Sequence, residues 1–187
     1  QKASETLQNL GCFLLHFHRH SPFFCYSFKI GNRKLLKLSR PLHLLLAALT
    51  YTLGASIPAY LGKPFQPVTF ELGLAVVLLA QWSMALLGEV FRPHNEALVE
   101  GETPQQKETL RSNMLYISIA SLTSAAFLIY LLYINQALVL SSFIFYLSSF
   151  ILIFAYAIPP VCLMNRGFGE LTLAVHLAYL IPSIGFL

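Results

Sequence analysis

Five long apolar stretches follow one another after residue 40, and short polar stretches separate them. Each apolar stretch is continuous rather than alternating, and a helix needs about 20 apolar residues to cross a bilayer. Strands are a poor alternative, because an open sheet would leave backbone groups unpaired in lipid. We therefore predict an all-α, multi-pass transmembrane helix bundle with five spans, at residues 41–61, 68–90, 113–134, 137–158 and 170–187.

The third and fourth spans come from one uncharged run, Ser112 to Asn165, which is too long for a single crossing. The polar break "YINQA" divides it. In the third span, Ser118, Ser121 and Ala125 fall on one helical stripe. Small residues on a stripe let membrane helices approach closely, so we predict a packing seam there.

Composition supports a membrane protein. The chain is 56% hydrophobic and 11% charged, with a mean hydropathy of +0.65, whereas about 25% of the residues of a soluble domain are charged. Its basic residues lie beside the apolar spans, so membrane lipid is a nearer partner than nucleic acid, and we expect no nucleic-acid binding. Three cysteines without paired spacing give neither a disulfide framework nor a zinc motif.

The basic residues also predict the orientation. They concentrate in residues 1–40, 92–112 and 159–169, whereas Lys63 is the only basic residue predicted on the other side. The positive-inside rule places the N-terminus and these two loops in the cytoplasm, which in a bacterium means the inner or plasma membrane. We read residues 1–40 as a basic and aromatic arm at the lipid interface, and residues 41–187 as the transmembrane domain.

Two polar cytoplasmic loops could form a mouth for an amphiphile whose tail lies between the helices. One is "GEVFRPHNEALVEGETPQQKETLR", residues 88–111, and the other is residues 159–170. The polar residues predicted at this mouth, which suits a polar head or a diphosphate, are Glu89, Arg92, His94, Asn95, Glu96, Asn165 and Arg166.

Three segments together carry a family resemblance: "LSRPLHLLLAALTYTLGAS", "EALVEGETPQQKE" and "PPVCLMNRGFGELTLAVHLAYLIPSIGFL". They resemble the UbiA superfamily of membrane prenyltransferases. The first is similar to the family's first helix, and the second to a degenerate R-P-L-x-x-G followed by a polar helix start. The third is similar to the family's loop with R-G-x-G-E and its fifth helix. The resemblance implies a UbiA-like bundle and an enzyme that moves a prenyl chain from a diphosphate to an acceptor. It also implies Mg²⁺ held by two aspartate-rich motifs.

The chain departs from the family where the metal would bind. "SMALLGEVFRPHNEALVEGE" stands in place of the first aspartate-rich motif, and the chain contains no aspartate. Glu89 and Glu96 keep the outer spacing of that motif, but Arg92 places a cation at the middle position. We therefore assign no catalytic residue and no metal ligand. Because the family continues beyond its fifth helix, we expect the protein to continue past Leu187.

His176 lies in the middle of the last predicted span. An ionisable residue inside a membrane is a functional candidate, and a neutral imidazole can ligate a pigment metal or hydrogen-bond a quinone. The alternative is a hydrogen bond between helices.

Three functions remain open from the sequence. The first is a UbiA-like protein without Mg²⁺-dependent prenyl transfer, which binds lipid, quinone or pigment or acts as a scaffold. The second is an active prenyltransferase that uses Mg²⁺ to attach an isoprenoid to an aromatic or tetrapyrrole acceptor. The third is an accessory subunit that joins other membrane subunits in a photosynthetic or electron-transfer complex, a reading favoured by the basic, aromatic arm.

Overall fold

The computed structural model describes residues 40–92, 104–135, 140–159 and 161–186, and these contain helices and connecting turns without strands. Four long helices come first: α1 (Pro41–Tyr60), α2 (Pro67–Val90), α3 (Pro104–Ile134) and α4 (Leu140–Ala157). A 3₁₀ turn, Leu163–Arg166, precedes the last helical segment. That segment consists of α5 (Gly169–Val175), a π-helical turn (His176–Leu180) and α6 (Ile181–Phe186).

Four helical segments are long and apolar enough to cross a membrane: Pro41–Tyr60, Pro67–Val90, Lys107–Ile134 and Gly169–Phe186. The predicted all-helical class is confirmed for the described residues, and these four segments are consistent with the predicted integral membrane protein. The apolar part of α4, Ser141–Ala157, is shorter, so the total of five spans stays a prediction.

The predicted start of the third span, at residue 113, differs from the start of the helix. α3 begins at Pro104, where proline suits a first helical turn because it has no N–H to satisfy. Hydropathy detects where a helix enters hydrocarbon, whereas the helix itself continues through the polar residues before that point. The fourth predicted span starts at residue 137, and residues 136–139 lie outside the described residues.

The π-helical turn of the last segment ends at Leu180, two residues before Pro182. Within this turn the N–H of Ile181 donates to the carbonyl oxygen of His176, five residues earlier. Proline offers no N–H, and its ring would collide with the carbonyl of Ala178 in a regular α-helix. The wider turn accommodates Pro182, and it aims His176 into the bundle, where the residue is 1% exposed.

α1 and the last segment approach each other so closely that their backbones touch. A β-carbon on Gly54 would collide with the carbonyl oxygen of Pro182, and one on Gly185 with the carbonyl oxygen of Tyr51. Glycine pairs of this kind allow membrane helices to gain van der Waals contact without a hydrophobic force between them.

The packing seam predicted on α3 is confirmed. Ser118 and Ala125 are fully buried. The hydroxyl of Ser118 donates to the carbonyl oxygen of Ser83 at 3.3 Å, and that of Ser121 to the carbonyl oxygen of Leu79 at 3.2 Å. Both acceptors belong to α2, so small hydroxyl side chains join the two helices.

The outer surface of the bundle is apolar. On α1 the exposed large side chains recur every three or four residues, at Leu42, Leu45, Leu49, Leu53 and Ile57. Such a continuous apolar face is rare on a soluble monomer. It suits contact with lipid tails.

Candidate functional site

Glu89 lies near the end of α2 and is only 6% exposed. Arg40 donates from Nη2 to its Oε1 at 3.0 Å, and Arg92 donates from Nη1 to its Oε2 at 3.2 Å. A buried carboxylate is costly without partners, and the negative end of the α2 dipole disfavours it further. The two guanidinium groups offset both effects, and each of them keeps more than a third of its side-chain surface exposed.

Arg40 reaches Glu89 from an uncommon backbone conformation. Its φ of +46° lies in the left-handed region, which disfavours residues with a β-carbon. Strain of this kind is held in place by the surrounding structure. Here the ion pair between Arg40 and Glu89 joins the start of α1 to the end of α2.

The same end of α2 contacts two other parts of the chain. The side chain of Asn165 donates to the carbonyl oxygen of Phe91 at 3.4 Å, and Arg111 donates from Nη2 to the carbonyl oxygen of Arg92 at 2.7 Å. The loop after α4 and the start of α3 therefore meet at the end of α2.

Three residues of the predicted mouth, Glu89, Arg92 and Asn165, are thus brought together. Arg166 is exposed in the neighbouring 3₁₀ turn. The other three predicted residues lie outside the described residues; they are His94, Asn95 and Glu96.

The space next to Glu89 is small. The described residues enclose a cavity of about 10 Å³ between Gln81, Tyr156 and the Glu89 ion pairs, which is at the lower limit for one water molecule. In the described part of the chain, no group of three His, Cys, Asp or Glu side chains is close enough together to hold a metal ion.

His176 makes hydrogen bonds to two other helices. Its Nδ1 lies 2.9 Å from Oε1 of Gln81 on α2, and its Nε2 lies 2.7 Å from Oγ of Ser149 on α4. The tautomer that fits an amide oxygen at Nδ1 carries its proton there and accepts from the serine hydroxyl at Nε2. A pigment metal would need a ring nitrogen whose lone pair is available, and both nitrogens are occupied by the interhelical bonds.

Sequence reasoning missed the partners of His176. Gln81 is 1% exposed and Ser149 is 4% exposed, and a buried amide in an apolar span needs a hydrogen-bonding partner. Gln81 therefore signalled that a polar residue on another helix must face it. The identity of that residue depended on how the helices are arranged.

A larger cavity of about 280 Å³ lies at the other end of the bundle. It is lined by the end of α1, the connection to α2, the start of α2, the end of α3, the start of α4 and the end of the last segment. Tyr51 donates to the carbonyl oxygen of Phe70 at 3.2 Å. A β-carbon on Gly73 would collide with this hydroxyl and lie 3.4 Å from that of Tyr146, so glycine leaves room for both tyrosines.

Lys63 lines this cavity, and its Nζ lies 5.7 Å from the centre of the Phe186 ring. The sequence signalled only that Lys63 is the lone basic residue predicted on its side of the membrane. The cavity was not predicted, since its shape depends on how five helix ends meet.

No protein-family model, curated protein or solved structure matches this chain. The resemblance to the UbiA superfamily therefore rests on its motifs, chiefly the R-G-x-G-E segment of residues 166–170.

Proposed function

We propose that this chain is a UbiA-like integral membrane protein without Mg²⁺-dependent prenyl transfer. In this proposal it holds a lipid, quinone or pigment between its helices or supports other membrane subunits. The observation that supports the loss of transfer is the engagement of Glu89 by two arginines. Both carboxylate oxygens accept a guanidinium hydrogen bond.

Mg²⁺ binds diphosphate substrates through one or two carboxylates and demands near-ideal octahedral geometry. At Glu89 the ion would have to displace Arg40, Arg92 or both. At about 5 Å from a guanidinium group, with an effective dielectric constant of about 20, its repulsion is on the order of 6 kcal/mol. Two such groups make this carboxylate a poor magnesium ligand.

The same groups suit a different ligand. Two guanidinium groups share one carboxylate here, and both are partly exposed at an end of the bundle. Guanidinium groups bind phosphate and carboxylate oxygens without a metal. A polar or anionic head that lies at this mouth in place of a magnesium diphosphate is consistent with this charge arrangement.

The first experiment measures prenyl transfer. Purified full-length protein in lipid nanodiscs is incubated with prenyl diphosphates and aromatic or tetrapyrrole acceptors, with and without Mg²⁺. We expect no product above the protein-free control. Mg²⁺-dependent turnover that is lost in Glu89→Gln would overturn the proposal and establish the active-transferase alternative.

The second experiment identifies what the protein holds. Lipid extracts of the purified chain are analysed by mass spectrometry and absorbance, and bulk membrane extract is the reference. Enrichment of one isoprenoid, quinone or pigment supports the binding role, and stoichiometric co-purification of membrane subunits supports the scaffold role. A chain that enriches neither would contradict both.

A further inference from the structure

The charges at the two ends of the bundle differ. At the end near Glu89 (the Glu89 end) two arginines pair with a carboxylate, whereas the 280 Å³ cavity at the other end contains a lysine. Among the described residues that line it, Lys63 is the only one with a formal charge. Lys63 makes no ion pair with any acidic residue in the described ranges. Of the described residues, an anion at this position would therefore meet one lysine and no opposing carboxylate.

Other polar groups of the cavity can donate hydrogen bonds. Oε1 of Gln66 accepts from the hydroxyl of Thr69 at 3.0 Å, which leaves the amide N–H groups of Gln66 to donate. The hydroxyl of Tyr146, a residue that is 5% exposed, lines the cavity and makes no hydrogen bond within the described part of the chain. Because this hydroxyl keeps some accessible surface, a ligand oxygen in the cavity can accept its hydrogen bond.

The remaining walls are apolar and aromatic. The ring of Phe70 lies 5.4 Å from those of both Tyr51 and Phe65, measured between centroids. With about 30 Å³ for each water-sized group, the cavity holds roughly nine such groups. That is enough for an acid group with a short length of chain, but not for a whole lipid. The outer face of α1, with Leu53 and Ile57 exposed, offers an apolar surface for a longer chain.

We propose that this cavity binds an anionic amphiphile, whose carboxylate or phosphate group pairs with Lys63 at the membrane surface. Gln66 and Tyr146 donate hydrogen bonds to oxygens of the same ligand, and the aromatic walls contact the first part of its chain. The site lies at the opposite end of α2 from Glu89, so it does not depend on whether the Glu89 end transfers prenyl groups.

The test uses the full chain in phosphatidylcholine nanodiscs. The probe is a long-chain carboxylate with a diazirine next to the acid group, and the labelled peptides are mapped after photolysis. We expect labelling at residues 61–70 and 184–186. Lys63→Gln should weaken it about three- to fivefold, as expected for an ion pair at a water interface. Lys107→Gln, on α3 near the Glu89 end, is the matched control and should leave it unchanged.

Competition distinguishes the ligand chemistries. A long-chain carboxylate and a long-chain alkyl phosphate should displace the probe, whereas an alcohol of equal length and inorganic phosphate should not. Equal competition by the alcohol would overturn the role of charge, and equal competition by inorganic phosphate would overturn the role of the chain.

Tyr146→Phe keeps the ring and removes the hydroxyl. We expect weaker labelling with an unchanged thermal unfolding midpoint, which separates a ligand contact from a structural one. Labelling of Lys63→Gln and Tyr146→Phe at the wild-type level would refute the site.

Discussion

Arg40 donates a 3.0 Å hydrogen bond to Glu89 although 49 residues separate them, and this pair ties the start of α1 to the end of α2. Glu89→Gln keeps the shape and removes the charge that both arginines face. Hydrogen bonds to charged groups contribute more than neutral ones, but partial exposure of the arginines reduces the effect. We expect a loss of about 1–2 kcal/mol in the free energy of unfolding, measured as a lower midpoint of thermal unfolding in a mild detergent.

Glu108→Gln is the matched control for that substitution. Glu108 is exposed on α3, and surface substitutions change stability by about 0.5 kcal/mol or less. Arg40→Gln and Arg92→Gln should each cost less than Glu89→Gln, because either one leaves the carboxylate with its other partner. Equal midpoints for Glu89→Gln and wild type would mean that the two ion pairs contribute nothing to the fold.

Gly54→Ala tests the backbone contact between α1 and the last segment. Alanine favours a helix over glycine by about 1 kcal/mol, so helix propensity alone predicts a gain. The new β-carbon would meet the backbone of Pro182, which cannot rotate away as a side chain can. Overpacking costs about 1–3 kcal/mol, and we expect a net loss of stability in thermal unfolding.

Ser56→Ala is the control two residues away. Ser56 is exposed, and its hydroxyl donates to the carbonyl oxygen of Leu53 in its own helix, so its loss should leave the unfolding midpoint within error. A higher midpoint for Gly54→Ala would show that the two backbones are not in contact.

Two adjacent serines on α4 allow the hydrogen bond to His176 to be tested separately from a serine hydrogen bond within one helix. Ser149 bonds to His176, whereas Ser148 donates to the carbonyl oxygen of Ile144 in its own helix. Interhelical hydrogen bonds in membrane proteins average about 0.6 kcal/mol, with a maximum near 1.7. We expect Ser149→Ala to be destabilising within that range and Ser148→Ala to be neutral by thermal unfolding.

A double-mutant cycle measures the coupling free energy between His176 and Gln81. His176→Leu leaves the Gln81 amide buried without this partner, and Gln81→Leu leaves Nδ1 of His176 without its partner while Nε2 keeps Ser149. The double substitution removes both polar groups, so it should cost less than the sum of the single ones, with a coupling of about 0.5–1.5 kcal/mol. Strict additivity would mean that the two side chains do not interact.

The sequence predicted the helical class and most helix boundaries because both follow from hydropathy. Backbone groups cannot remain unpaired in lipid, so a long continuous apolar run in a membrane is expected to form a helix. The packing seam at Ser118 was predictable from the sequence, since small residues on one helical stripe indicate close packing against another helix. The start of the predicted third span does not coincide with the helix start at Pro104, because hydropathy does not report a helix that continues into water.

The candidate site was predicted less well. The sequence placed Glu89, Arg92 and Asn165 at one end, but it did not indicate that Arg40 would reach Glu89 or that Gln81 and Ser149 would bind His176. These contacts join residues that are far apart in the chain, and they depend on the rotation of each helix about its axis. The cavity at Lys63 depends on five helix ends, so no single segment could reveal it.

The two ends of α2 should face opposite sides of the membrane. α2 has 24 residues and is about 36 Å long at 1.5 Å per residue, which exceeds the hydrocarbon core of about 30 Å. Lys63 comes just before its start, and Asn165 donates to Phe91 just past its end. In a cysteine-free background, Lys63→Cys should react with an impermeant maleimide added outside the cell. Arg166→Cys should react only after permeabilisation.

This labelling also decides whether α4 spans the membrane. α4 has 18 residues, about 27 Å at the same rise per residue, which is just short of the hydrocarbon core. Three crossings separate Lys63 from Arg166 if α4 spans, and an odd number of crossings puts the two cysteines on opposite sides. Labelling of both from the same side would require an even number, so it would exclude α4 as a span. Labelling with the sides reversed would keep the spans and contradict the cytoplasmic N-terminus that the basic residues predict.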